Sequence, residues 1–279
     1  MDEDVGSMHR IFNSGAGAIV TKSIGLNPRE GYKNPTVVEL ENGILNAMGL
    51  PNPGIKEFGE EIKQIKKLKI PIIASIFGFN STEFVNIAKQ MQNFGTDAVE
   101  LNLSCPHAKG YGLELGSDPK LVKEITSDVK KSIDIPVFVK ISPNLTNIVD
   151  IAKSAEKGNA DGIVAINTVK AMKIDISLKI PVLANKIGGY SGKAIKPIGV
   201  RCVYEISKNV SIPVIGVGGI TTGEDALEYI MAGASAIQIG SAIYYRGIDV
   251  FKKVCDEIEV WMKNNGYKNI LELIGAAQK

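Results

Sequence analysis

The chain has 279 residues, 44% hydrophobic and 22% charged, with a net charge of +2, values ordinary for one folded α/β domain of barrel size. So small a net charge gives no electrostatic basis for binding nucleic acid or an anionic membrane surface, and no apolar run reaches the roughly 18 residues a bilayer span needs. Three scattered cysteines, Cys105, Cys202 and Cys255, with only two histidines, offer neither a disulfide framework nor the ligand spacing of a zinc or iron–sulfur site, so a reducing, cytoplasmic setting is expected.

The first fifteen residues are acidic at Asp2, Glu3 and Asp4 and lack the apolar core of a secretory signal. Met8, Ile11 and Phe12 at helical spacing predict a short helix from Val5 to Ser14, with His9 on its surface. Ala18 to Ser23 reads as a buried strand ending in polar residues. A long proline-bearing connection from Ile24 to Gly54 follows, with Thr36–Leu40 as one arm of a hairpin, and connections of this length usually serve function. An amphipathic helix over 55–68, a strand from Pro71 to Phe77, a helix from Glu83 to Phe94 and a strand from Asp97 to Ser104 come next.

The alternation continues. Helix Pro119–Ile133 precedes strand Pro136–Ile141, and helix Asn147–Lys157 precedes strand Gly162–Thr168. The glycine-rich Gly188–Gly192 opens a helix through Val200 to Lys208, before strand Pro213–Ile220. Helix Gly223–Ala232 leads to strand Ala236–Ser241, and helical runs over Asp249–Asn264 and about Asn269–Ala277 close the chain. Cys202 and Cys255 fall on helices at core spacing and read as structural.

Strands alternating with amphipathic helices are parallel βα units. Seven core strands are predicted, beginning near residues 18, 71, 97, 136, 162, 213 and 236. Polar or glycine residues sit at the C-terminal end of nearly every one: Lys22, Ser75, Asn102, Lys140, Asn167, Gly218 and Gly240. In a (β/α)₈ barrel those ends converge on one face, where active sites are built. The expectation is therefore one barrel domain over residues 1–279, with seven of eight core strands in this chain.

Four groups of residues carry chemistry. Gly216-x-Gly218-Gly219 and Gly240-Ser241 end the last two strands, where backbone N–H groups near a helix N-terminus form the usual barrel phosphate site. They read as tight turns or as a phosphate cradle, and a phosphate without another nucleotide motif suggests a cofactor such as FMN. Lys22 and Lys140 end apolar strands, so each either snorkels to solvent or pairs with an anion or an electron-rich ring; near a flavin, a cation stabilises the reduced anion. Asn46, Asn102 and Asn167 act singly as turn or cap residues, but with Thr168 they form a polar ring able to match the alternating N–H and C=O groups of a pyrimidine. Cys105, in the polar loop Asn102-Leu103-Ser104-Cys105-Pro106-His107, is either an inert thiol or a general base.

Glu100 to His107, Val139–Asn144, Ile166-Asn167-Thr168, Gly188–Pro197 and Gly216–Ile220 together resemble the class 1 dihydroorotate dehydrogenases. Asn34–Val37, Glu41-Asn42-Gly43 and Asn46–Gly54 look most like the class 1B catalytic subunit. The resemblance runs in order over about residues 15 to 279. It implies an FMN-dependent (β/α)₈ barrel oxidising dihydroorotate to orotate in pyrimidine biosynthesis. Cys105 matches the base that takes the C5 proton while the C6 hydride passes to flavin N5. Lys22 matches a lysine touching both flavin and substrate. Asn46, Ala47, Met48, Gly49 and Leu50 match the substrate loop, with Asn102, Asn167 and Thr168 completing the ring.

Ser23, Ser75, Asn102, Lys140, Ile166, Gly192, Gly218, Gly219, Gly240 and Ser241 match FMN contacts. Class 1B further implies a homodimeric core within a heterotetramer of two catalytic and two electron-transfer chains. The latter carry FAD and a 2Fe-2S cluster and pass electrons to NAD. The chain departs from the family at His107 and Ser75, where Asn is common, and at Ser241, where Thr is common. Ser-Cys-Pro-His also occurs in dihydropyrimidine dehydrogenases, so reduction of uracil or thymine is the alternative reaction. Family members begin with a hairpin and a first barrel strand that are not seen before Val5. The expectation is a start set further upstream or a truncation, rather than a degenerate natural seven-strand protein; as a function, the alternative is a non-catalytic fragment unable to hold FMN.

Overall fold

The computed structural model describes residues 4–104 and 113–279. Cys105 and His107 lie outside the described residues. Seven parallel strands form one sheet: β1 (Ile19–Val20), β2 (Ile72–Ile76), β3 (Ala98–Asn102), β4 (Val137–Ile141), β5 (Gly162–Ala165), β6 (Val214–Val217) and β7 (Ala236–Gln238). They pair in chain order, so β1 and β7 are the two edges of the sheet. This is the expected barrel architecture, with seven of eight strands.

Each of the six crossovers carries a helix, α2 (Ile55–Lys67), α3 (Ser81–Phe94), α4 (Pro119–Ser132), α5 (Ile148–Lys157), α6 (Lys196–Ser207) and α7 (Gly223–Met231), while α1 (Val5–Asn13) precedes β1 and α8 (Val250–Asn264) follows β7. Local chemistry sets their ends. Asn80 caps α3 by accepting from the Glu83 N–H at 3.0 Å, and Gly95 ends it in the left-handed conformation at φ 97°. Pro119 opens α4 behind the Asp118 cap. On α2, Ile55, Phe58, Ile62 and Ile65 are buried, and they join one continuous core with the outward-facing Val99, Leu101, Val137, Val139 and Ile141 of β3 and β4.

The long connection after β1 forms a second, antiparallel sheet over the C-terminal ends of the barrel strands. Val37–Leu40 is a hairpin arm, as expected, and its partner is Gly43–Asn46. Gly188–Ser191 pairs with Gly43–Asn46 on one side and with Val169–Ala171 on the other. Three expectations are corrected. Gly188–Ser191 is a strand, not the opening of a helix. The glycines permit close strand packing instead: a Cβ at Gly188 would lie 2.7 Å from the Asn46 carbonyl oxygen. About Asn269–Ala277 forms two short 3₁₀ turns, Ile270–Glu272 and Ala276–Gln278, separated by Gly275 at φ 68°. Cys255 is exposed rather than part of the core, whereas Cys202 is fully buried.

Candidate active site

Strand alternation decides what the barrel encloses. On each strand every second side chain points inward. Ala18, Val20 and Lys22, then Ile73 and Ser75, Glu100 and Asn102, Lys140, Ile215 and Val217, and Ala236, Gln238 and Gly240 all line one cavity of about 950 Å³, near the upper end of ordinary ligand sites. The cavity is apolar low in the sheet and polar at the C-terminal strand ends. It extends along the β1–β7 seam to Ile11 of α1 and to Phe251 and Cys255 of α8.

At the polar end a continuous hydrogen-bond chain joins the C-terminal ends of four strands, β1, β2, β3 and β5. Ser23 Oγ lies 2.8 Å from Ser75 Oγ and accepts from Asn102 Nδ2 at 2.9 Å. Asn102 Oδ1 accepts from Ser104 Oγ at 2.8 Å and from the Ser104 N–H at 3.2 Å. Ser104 Oγ accepts from Asn167 Nδ2 at 2.8 Å, and Asn167 Oδ1 accepts from the Thr168 N–H at 2.8 Å. Asn102 and Ser104 are buried, and buried amides satisfied on both sides are held in one orientation.

The loop after the first hairpin closes one wall. Asn46, Met48, Gly49 and Leu50 line the cavity. Arg29 Nε donates to the Gly49 carbonyl at 2.7 Å, and the Tyr32 N–H donates to the Met48 carbonyl at 2.9 Å. Gly49 takes φ 79° against the Tyr32 ring, where a Cβ would come within 2.8 Å, so only glycine fits that turn. Ala47 is fully buried beneath the loop and is not on the cavity wall.

The glycine loops at the ends of β6 and β7 differ from each other. A Cβ at Gly240 would meet nothing within 4 Å, so the cavity wall there is bare backbone. Gly218 and Gly219 adopt φ 130° and 71°, and a Cβ on Gly219 would approach the Gly192 carbonyl oxygen to 2.7 Å. These two, with Gly192, Ile166 and Ser241, are not among the residues that line this cavity. Tyr229 of α7 braces that loop. Its hydroxyl donates to the Gly218 carbonyl at 2.7 Å, and its ring fills space left by Gly199 and Gly216. Next to it, burial would raise the Asp225 carboxyl, but hydrogen bonds from Thr221 and the Lys196 ammonium at 2.9 Å outweigh this and hold it at about 2.

Of the residues predicted from sequence, Lys22, Ser23, Asn46, Met48, Gly49, Leu50, Ser75, Asn102, Lys140, Asn167, Thr168 and Gly240 meet on one cavity. Glu100 and Gln238 also line it and were not singled out. A charged and an amide side chain at inward positions of otherwise apolar strands was the available signal. The residues present fit FMN. A bare glycine wall at Gly240 suits a phosphate, two lysines suit an electron-rich ring, and a run of amides and hydroxyls suits a polar heterocycle. Among the described residues no group of three or more His, Cys, Asp or Glu side chains could hold a metal ion.

A seven-strand parallel βα barrel with a polar, lysine-bearing cavity at its C-terminal strand ends is the frame of a cofactor-dependent barrel enzyme. The dihydroorotate dehydrogenase family model matches residues 1–262, and the chain belongs to that family. It is 52% identical to the "dihydroorotate dehydrogenase B (NAD(+)), catalytic subunit" of Methanocaldococcus jannaschii, covering 100% of this chain and 92% of that protein. The protein of the same description from Thermoplasma acidophilum is 53% identical, covering 99% and 92%. In fold the chain matches the crystal structure of DHODH from Eimeria tenella in complex with ferulenol. The TM-score is 0.87 at 24% identity, over 100% of this chain and 83% of that one.

Proposed function

We propose that the chain oxidises dihydroorotate to orotate in pyrimidine biosynthesis as the catalytic subunit of a class 1B dihydroorotate dehydrogenase. The observation that carries the reading is the Ser23–Asn102–Ser104–Asn167 chain of fixed donors and acceptors, of which Ser23, Asn102 and Asn167 line the cavity together with Lys22 and Lys140. It belongs with the family match over residues 1–262.

FMN, when bound, supplies a two-electron acceptor for the hydride that leaves C6 of the substrate. Ser23, Ser75, Asn102 and Lys140 at the strand ends, with Gly240 and the Ile166, Gly192, Gly218, Gly219 and Ser241 backbone, are the residues that hold the cofactor. Asn46 to Leu50 cover the substrate, and Asn102, Asn167 and Thr168 pair with its ring. An amide locked by partners on both sides presents its remaining lone pairs and N–H groups without reorganisation, which is how a rigid site favours one heterocycle orientation. Lys22 places a cation beside the substrate and the cofactor. Cys105, one residue beyond the anchored Ser104, takes the proton from C5. The proton and the hydride together convert the C5–C6 single bond to a double bond.

Electrons would then pass to NAD through a partner chain that would carry FAD and a 2Fe-2S cluster, in a heterotetramer built on a homodimeric core. The words "catalytic subunit" and "NAD(+)" in the relatives' names support such a partner. No helix among the described residues is long and apolar enough to cross a membrane, and the unpaired Cys202 and Cys255 suit a cytoplasmic site. The test is to load the protein with FMN and supply dihydroorotate with an artificial electron acceptor. Orotate should accumulate, and dihydrouracil in its place should give no product. Turnover of dihydrouracil alone would overturn the assignment.

A further inference from the structure

One buried charge on the cavity wall is not used by the reaction above. Glu100 sits at an inward position of β3 and is 1% exposed. Its neighbours Ala98, Val99 and Leu101 are buried and apolar, so an apolar residue would serve the sheet. A buried carboxylate costs several kcal/mol unless it is paired and hydrogen-bonded.

Glu100 has two partners, one for each oxygen. Oε1 lies 3.5 Å from Lys140 Nζ on the adjacent strand β4. Oε2 accepts from Gln238 Nε2 at 3.0 Å. Gln238 ends β7, so this bond reaches across the barrel interior rather than along neighbouring strands. The Glu100 side chain is thereby fixed from the far side of the cavity. The Lys140 contact is an ion pair longer than a hydrogen bond. It holds the ammonium beside the cavity that Lys140 lines.

We infer that Glu100 is a positioning residue: anchored by Gln238, it holds the Lys140 ammonium against the cofactor, so that the cation favours the reduced, electron-rich form. The inference rests on the FMN reading above. A cation held in place by the protein stabilises developing charge without reorganisation, whereas a four-carbon lysine stem without its counter-ion disperses over rotamers. Glutamine at position 100 keeps the volume and the Gln238 contact region but presents an amide to the ammonium.

The experiment measures two properties of Glu100→Gln, Lys140→Met, the double variant and Gln238→Leu: the dissociation constant of oxidised FMN from apoprotein, and the midpoint potential of bound FMN. Lys140→Met should cut the preference for reduced over oxidised FMN about tenfold, a midpoint about 30 mV lower for a two-electron couple. Glu100→Gln should lower it in the same direction by at least about threefold, and the double variant should match Lys140→Met alone, because both changes remove one device. Gln238→Leu should shift it the same way by less, and it tests the inference even if Glu100→Gln does not fold. A midpoint in Glu100→Gln or Gln238→Leu that is unchanged or higher would mean that the carboxylate merely offsets the cation, overturning the inference. Additive shifts in the double variant would overturn it as well. Wild-type apoprotein that takes up no FMN would defeat the cofactor reading and this inference together. Wild type that binds FMN beside an unshifted Glu100→Gln would defeat the inference alone.

Discussion

Asn167 Nδ2 donates to Ser104 Oγ at 2.8 Å, joining the end of β5 to the end of β3 across 63 residues of sequence. Ser104 is the residue before Cys105, and it is fully buried. Two strands of the sheet therefore fix Ser104, the residue that precedes the proposed base Cys105 in sequence, while Asn102 secures the same serine from its other side.

Replacing Asn167 with Ala removes the donor to Ser104 and the acceptor for the Thr168 N–H at once. Leaving such buried partners unsatisfied costs about 1–3 kcal/mol. If the network positions substrate, kcat/KM for dihydroorotate should fall about tenfold or more, while FMN binding changes little. Steady-state kinetics beside an FMN titration separates the two effects.

Cys105→Ala tests the proposed proton acceptor. General-base catalysis typically contributes about 10²–10⁴-fold. The variant should therefore bind FMN and orotate normally and lose the rate of flavin reduction by that order, read by rapid mixing. Fast reduction in the variant would take Cys105 out of the base role.

Gly199 faces the Tyr229 hydroxyl so closely that a Cβ would collide with it. Gly199→Ala lies within α6, where alanine would otherwise favour the helix, but the collision displaces the ring that braces the Gly218 carbonyl. Overpacking of this kind costs about 1–3 kcal/mol, so the melting temperature should fall. Weaker FMN binding should accompany it if the Gly218–Gly219 loop helps hold the phosphate.

Asp225 links stability to acid. Its carboxyl is held at about 2 in the folded chain, below the ordinary 3.8, so folding favours the ionised form. That contribution, roughly 2 kcal/mol, is fully present above the ordinary value and is lost as pH falls from about 4 through 2. Asp225→Asn should therefore destabilise the protein near neutral pH, and the gap from wild type should close as pH falls through that range. Denaturant unfolding at several pH values measures both.

The sheet and its helices were readable because their signals are local. Apolar runs such as Ile72–Ile76 and stripes such as Ile55, Phe58, Ile62 and Ile65 repeat at strand and helix periods. Lys22, Asn102, Lys140 and Asn167 were legible because each is polar at the end of an apolar strand, and parallel topology sends such ends to one face. Gly188–Ser191 was misread because its strand exists only through pairing with Gly43–Asn46 and Val169–Ala171, far away in sequence. Glu100 and Gln238 each carry a local signal, a polar side chain within an apolar strand, but their pairing spans 138 residues and is not visible in the sequence. Cys255 has helical spacing, but the wall beside it is cavity rather than core.

Anaerobic single-turnover mixing of FMN-loaded protein with dihydroorotate, following flavin absorbance and orotate together, tests dihydroorotate oxidation by this chain most directly. Loss of the oxidised flavin spectrum with one orotate formed per flavin is the expected result. A flavin that stays oxidised with dihydroorotate bound would contradict it.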